Sequence, residues 1–419
     1  MAEKRNMLIA QSGGPSSAIN ASITGAIARG MASTKIDNVL GAVNGMQGFL
    51  DRKIINISDQ MKTSEDFEML IHTPAHALLS SRYKIKADDE DTYKKIVEIL
   101  KEFNIKYFFY NGGNDSMDTV YKLSAYLKKI GEDIVAVGIP KTIDNDLELT
   151  DHTPGFGSAA RYVATSMAEL YLDTCVYPAP ACTIVEVMGR NAGWLTAASA
   201  LARDTGLPAP HLIYLPEVDF NIEAFAKTVE EALEQQNHIV VAVSEGLRTA
   251  DGKYIGDTGA EKDMFGHSTL GGVANILETI VKEKVNIPKI KTRAIQLSTL
   301  QRAAAHCASL TDLQESYQCG YRAVEAAVNG KTGIMITIAR ISDVPYVVRY
   351  DEGDLSQIAN KEKKIPQEWI TKDGTDVSEE MLQYLRPLVT RPTAGFEELG
   401  MPRYFTFDLE KVVTPRDVK

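Results

Sequence analysis

Long hydrophobic runs are missing from this sequence of 419 residues. No stretch approaches the roughly 20 apolar residues of a membrane-spanning helix. The first apolar run, at residues 7–10, stops at polar Gln11 and Ser12 and is too short for a secretory leader. Cysteine is scarce, and Cys175, Cys182, Cys307 and Cys319 form no C-x-x-C pair. This argues against a zinc framework or a disulfide scaffold and for reduced thiols in a cytoplasmic protein. Positive charge is in deficit: 45 Lys+Arg face 56 Asp+Glu, a net charge of −11. A broad basic surface for nucleic acid is therefore not expected, and an anionic ligand would need a local cluster of cations. His72, His76, His152, His211, His238, His267 and His306 show no metal-ligand spacing and receive no role. The G-x-S-x-G, H-E-x-x-H, Walker A and G-x-G-x-x-G signatures are all absent, which weighs against hydrolase, zinc-protease, P-loop and dinucleotide-binding readings. Low-complexity linkers and internal repeats are lacking too.

What is present is a regular alternation. Short β-branched runs at residues 7–10, 106–110, 134–139, 183–187, 212–215, 239–243, 292–297 and 333–339 read as strands. Helical periodicity falls between them, at residues 18–29, 117–129, 159–172, 192–202, 222–235, 272–284 and 313–328. Alternating strands and helices predict parallel sheets covered on both faces, an α/β architecture. The length allows two such halves, with residues 142–157 as the crossing region. Charge and turn residues are richer after Tyr350, which reads as a C-terminal addition.

In such folds ligands bind beyond the carboxyl ends of the strands, and polar, glycine-rich junctions recur there. Gln11-Ser12-Gly13-Gly14-Pro15-Ser16 follows the first strand and opens a helix, where backbone N–H groups favour anions. Gly112-Gly113-Asn114-Asp115-Ser116 repeats the arrangement, and Asn114 and Asp115 could offer oxygen to Mg²⁺. A tight turn or a helix cap would explain either loop alone. Lys141-Thr142-Ile143-Asp144-Asn145-Asp146 places a cation and two carboxylates at one strand end. A carboxylate there could accept a hydroxyl proton, and Lys141 could neutralise a phosphoryl group. An Asx-rich surface turn explains Asn145 and Asp146, but not their coincidence with two anion loops. Arg190 in Gly189-Arg190-Asn191 can grip a phosphate bidentately. Arg82, Arg293 and Arg302 add cations, and Glu245-Gly246 adds a carboxylate after the strand at 239–243. Each of these alone is an ordinary surface residue.

Together and in this order, the motifs resemble the phosphofructokinase family. Ser12-Gly13-Gly14, residues 112–116 and 142–146, Met188-Gly189-Arg190, Ser244-Glu245-Gly246 and Gln301-Arg302 match its landmarks. The resemblance runs from about residue 7 to residue 339, and the T-I-D-N-D and M-G-R elements make it specific. It implies two Rossmann-like halves with mostly parallel sheets and a site in the cleft between them. Residues 1–145 would bind the phosphoryl donor, with later segments free to return to that half. Residues 146–340 would bind the sugar phosphate, and 341–419 would pack on the core. The resemblance further implies that Gly13, Gly14, Gly113 and Arg82 face the donor. Asp144 would be the general base, and Thr142 and Asp146 would orient the transfer. Met188, Gly189, Arg190, Glu245 and Arg302 would bind the sugar phosphate. Mg²⁺ is the implied cofactor. Arg293 matches a residue that crosses a subunit interface, which implies a homodimer or homotetramer.

Several positions depart from the family's bacterial ATP-using pattern. Asn114 replaces a metal-binding aspartate, and Asp115 and Lys141 each replace a glycine. Ala181 stands in place of a substrate arginine and Thr299 in place of a histidine. Thr24 and Ala28 replace two effector arginines, so nucleotide and phosphoenolpyruvate control should be missing. A carboxylate at Asp115 would repel an α-phosphate, which pyrophosphate lacks. Lys141 adds charge beside the transferring group. In the family this Asp/Lys pair marks pyrophosphate-dependent members. The implied reaction is reversible phosphoryl transfer from pyrophosphate to the 1-hydroxyl of fructose 6-phosphate, as in glycolysis. ATP-dependent transfer is the alternative within the class, and sedoheptulose 7-phosphate an alternative acceptor. A non-catalytic regulatory subunit is the alternative outside it, and intact Asp144, Arg190 and Glu245 stand against that.

Overall fold

A computed structural model describes residues 4–86, 88–257, 272–391 and 395–418. His267 lies outside the described residues. The chain opens β1 (Arg5–Gln11), α1 (Ile19–Met31), β2 (Ile36–Ala42), α2 (Gly45–Leu50), β3 (Ile54–Asn56), α3 (Ser64–His72) and α4 (Glu90–Glu102). It continues β4 (Ile105–Gly112), α5 (Asn114–Ile130), β5 (Val135–Pro140), α6 (Phe156–Thr174), β6 (Ala181–Val187) and α7 (Trp194–Ala198). Next come β7 (Leu212–Tyr214), α8 (Ile222–Gln235), β8 (His238–Ser244), α9 (Val273–Lys284), β9 (Lys291–Gln296) and α10 (Leu300–Ala303). Then α11 (Leu310–Val328) leads into the hairpin of β10 (Ile334–Asp343) and β11 (Tyr346–Asp354).

Two sheets result. The seven-stranded sheet has the order β11-β10-β5-β4-β1-β2-β3, and the four-stranded sheet the order β7-β8-β6-β9. β10, β5, β4, β1 and β2 run parallel, with antiparallel β3 and β11 at the two edges. The smaller sheet is parallel throughout. The central strands are buried along nearly their whole length, as runs such as M-L-I-A and I-V-V-A-V require when helices cover both faces. Separate apolar clusters fill the two faces of each sheet. α1 and α11 pack closely on the larger sheet, and close approach depends on Gly320, where a Cβ would lie 1.7 Å from the Ser22 carbonyl oxygen.

The strands do not divide between the sheets in chain order. The strand expected at 333–339 and assigned to the second half, with a return to the first left open, runs over residues 334–343 and extends the first sheet beside β5. The hairpin then adds β11, which the sequence reading placed in the C-terminal addition. A parallel neighbour for β5 has to arrive by a crossover, and α11 supplies it. The remaining C-terminal stretch contributes Ile365, Ile370, Met381, Tyr384 and Leu388 to the core of the second half.

Candidate active site

Strand ends determine which side chains meet. The loops after β1, β4, β5, β6 and β8 open into one cleft of about 630 Å³ between the sheets. Its walls include Gly13, Gly14, Arg82, Gly113, Asp115, Lys141, Thr142, Asp144, Asp146, Met188, Arg190, Glu245 and Arg302, all marked by the sequence. Gly189 stands immediately behind them. Its N–H donates to Glu245 Oε1 at 3.2 Å, and its carbonyl accepts from the Ser244 hydroxyl at 2.6 Å. The loops at 189–193 and 245–246 touch so closely that a Cβ on Gly246 would sit 1.9 Å from the Arg190 carbonyl oxygen.

The donor loops are joined to one another and to the motif after β5. The hydroxyls of Ser12 and Ser116 share a hydrogen bond. Lys141 is buried, and its Nζ donates to the Gly14 carbonyl at 2.6 Å. The Asp144 N–H is held by Thr142 Oγ1 at 3.1 Å, and Thr142 N donates to the Pro154 carbonyl at 3.1 Å. Asp115 receives Lys84 Nζ at 3.3 Å, so its carboxylate is anchored at the mouth of the cleft.

Burial dominates the electrostatics. It pushes the Asp144 carboxyl up, with Glu245 adding to it and Lys141, Arg190 and Arg302 opposing. Asp146 is pushed up by burial and then by Asp144. Burial lowers Lys141 to about 8, against the pull of Asp144. His76, beside Lys141, is driven by burial down to about 3 and is neutral. Arg190 Nε, Arg302 Nε and Asp146 Oδ1 are buried without hydrogen-bond partners. Unpaired buried polar groups are costly, so the two arginine groups here point to an anionic ligand and the Asp146 oxygen to a donor or a cation.

Two residues singled out in the sequence lie outside this cleft. Arg293 pairs with Asp173 on the exposed edge strand β9, and Thr299 is exposed at the start of α10; neither lines this cleft. Asn114 is present, but its amide is engaged: Oδ1 accepts from Asn360 N at 2.7 Å, and Nδ2 donates to the Lys361 carbonyl. The sequence reading missed Lys84, Asn360 and Glu362, which line the cleft. Lys84 carried a signal in its alternation with Arg82 along an extended segment. Asn360 and Glu362 carried none, because their stretch has no periodicity.

Fold and cleft together define an α/β protein of the phosphoryl-transfer kind, with anion loops at strand ends and a carboxylate beside a buried lysine. The family model for phosphofructokinase matches residues 6–327, and the chain belongs to that family. It is 40% identical over 407 residues to pyrophosphate–fructose 6-phosphate 1-phosphotransferase of Halomonas elongata, covering 96% of this chain and 95% of the relative. The protein of that name from Methylococcus capsulatus is 39% identical over 417 residues, with 96% of each covered. Among solved structures, pyrophosphate-dependent phosphofructokinase from Marinobacter aquaeolei superposes with a TM-score of 0.85 at 37% identity, covering 96% of each chain.

Behind the Asp144 motif lies a buried ion network. His152 Nδ1 is 2.7 Å from Asp151 and Nε2 is 2.6 Å from Glu315. Tyr346 donates to Glu315 at 2.8 Å, and Arg340 pairs with Asp151. Burial disfavours the imidazolium, but Glu315 and Asp151 outweigh it and raise His152 from 6.5 to about 9. A raised value contributes stability that is complete below about 6.5 and lost as pH rises through about 9. Thermal unfolding should therefore show a melting temperature that falls across this window. His152→Gln should be less stable at pH 6.5 and show a flatter fall. An equal slope in both proteins would show that His152 is not the titrating group.

Proposed function

We propose that this chain transfers a phosphoryl group from pyrophosphate to the 1-hydroxyl of fructose 6-phosphate, reversibly, giving fructose 1,6-bisphosphate and phosphate. The observation that carries the reading is the placement of Lys141, whose ammonium bonds the Gly14 carbonyl of the donor loop within the field of the Asp144 carboxylate, inside one cleft. Gly13, Gly14 and Gly113 present the donor loops, with Arg82 beside them. Arg190 and Arg302 line the cleft as cations for the sugar phosphate, and Glu245 accepts from Gly189 and holds that loop in place.

Asp144 takes the proton from the sugar 1-hydroxyl, and Thr142 fixes its backbone for that task. Lys141 and Arg302 stabilise the charge that spreads over the transferring phosphoryl oxygens. Asp115 lies at the first turn of α5, where a longer donor would continue. Its negative charge disfavours an α-phosphate there, and Lys84 holds it in place.

The oxygen chemistry of the cleft fits a hard divalent cation. Asp146 Oδ1 is a buried acceptor with no partner, and Asp115 is open to the cleft. Among the described residues no three acidic, histidine or cysteine side chains converge into a closed cage. An ion would therefore share its ligands with the donor, as Mg²⁺ commonly does. Mg²⁺ held by Asp115 and Asp146 would supply neutralisation of pyrophosphate charge.

Arg293 is assigned to a neighbouring subunit's cleft in a homodimer or homotetramer. Supporting this, it lies on edge strand β9, where Lys291 covers the exposed ring of Tyr177 and exposed Val176 and Leu172 adjoin. No helix among the described residues is long and apolar enough to cross a membrane.

The decisive assay compares pyrophosphate with ATP on purified protein, with Mg²⁺ and fructose 6-phosphate. Pyrophosphate should give the higher kcat/KM, and Asp115→Gly should raise ATP use relative to pyrophosphate. A wild-type preference for ATP would overturn the donor assignment. An unchanged donor ratio in the variant would overturn the role of Asp115. Asp144→Asn keeps the side chain's size and removes its basicity. Its turnover should fall by about 10²–10⁴-fold; retention within about threefold of wild type would exclude Asp144 as the base.

A further inference from the structure

The stretch from Ala359 to Ile365 has no regular structure, yet it bonds to three parts of the cleft. At the donor loop, Asn114 exchanges two hydrogen bonds with the backbone of Asn360 and Lys361, and Asn360 Nδ2 donates to Asp118 Oδ1 at 2.9 Å one turn further along α5. At the sugar-phosphate loop, Glu362 Oε1 accepts from Asn191 Nδ2 at 2.7 Å, and Trp194 Nε1 donates to the Lys363 carbonyl at 3.1 Å. Between them, Lys363 N donates to the Asp146 carbonyl at 2.8 Å. The Lys363 ammonium bonds the Asp151 carbonyl at 2.6 Å and the Thr150 carbonyl at 3.1 Å, 5.1 Å from the centre of the Trp194 ring.

We infer that this segment is a clasp that couples the two ligand loops, with Asn114 and Glu362 as its end residues. Asn114 then acts as a positioning residue on the donor loop rather than as a metal ligand. The physical basis is contiguity. The clasp fixes α5 of one half and the 188–194 loop of the other to the same short backbone, which also anchors the Asp144–Asp146 motif. Ordering either loop around its ligand orders the other through this backbone, so the second ligand binds to a site already arranged. Such coupling is reciprocal: each ligand tightens the other by the same factor. A side chain that only supports the fold would change stability or both affinities without changing that factor.

The inference rests on the donor and acceptor assigned above, and the test separates the two. Calorimetry would measure the Kd of the unreactive analogue methylenediphosphonate, with Mg²⁺, in the absence and presence of saturating fructose 6-phosphate. Wild type should show tightening of about fivefold or more, the lower end of ordinary coupling. Asn114→Ala and Glu362→Ala should each bring the factor close to one, whatever they do to either affinity alone. Glu362→Gln keeps an acceptor for Asn191 and should retain the coupling. Should Asn114→Ala fail to fold, the exposed Glu362 pair decides the matter alone. Full coupling in both alanine variants, or none in wild type, overturns the clasp while leaving the proposed reaction intact. Failure of either ligand to bind wild type overturns the reaction and the clasp with it.

Discussion

A lysine ammonium buried among backbone carbonyls and carboxylates is unfavourable unless its surroundings are fixed, and the cleft is arranged around one. Lys141 reaches from the end of β5 to the Gly14 carbonyl beyond β1. That contact requires β5, β4 and β1 to be neighbours in the larger sheet, with the motif after β5 folded back over the first loop. It also sets the charge balance. Asp144 favours the protonated lysine, while burial and Arg302 oppose it. Breaking one member of such a buried set strands the others without partners. The fold, the loop conformations and the charge state are therefore one constraint seen at three scales.

The same charge set explains why carboxylates and arginines can coexist in so small a volume. Asp144, Asp146 and Glu245 are all pushed toward their protonated forms by burial. Arg190 and Arg302 have buried Nε groups without partners. Neither set satisfies the other fully, so both stand ready for phosphate oxygens and a hydroxyl proton. Stability is sacrificed locally, and the His152 network and the clasp at 359–365 hold the motif from behind.

Legibility in the sequence followed the physics of each segment. The junctions after β1, β4, β5, β6 and β8 were readable because buried strands leave unbroken apolar runs and ligand loops interrupt them with glycine and charge. The segment containing β2, β3, α3 and α4 was passed over. In β2 the apolar run is broken by Asn38 and Gly41, and in α3 only Leu70 is fully buried. α4 was within reach, since Tyr93, Ile96, Val97 and Leu100 recur at helical spacing on a buried face. The return of β10 to the first sheet was not readable, because a strand's own residues do not say which sheet it joins. Asn114 illustrates the limit at the site. Its type and place suggested oxygen ligation, but its partners lie about 250 residues away, on a stretch whose function depends on backbone atoms.

Lys141 acts on the charge that develops during transfer rather than on donor capture. The direct measurement is the kinetics of Lys141→Gly with pyrophosphate, set against the Kd of methylenediphosphonate for the same variant. The kcat should fall by about 10²-fold or more, with analogue affinity changed far less. A variant that keeps wild-type kcat and loses only affinity would contradict it.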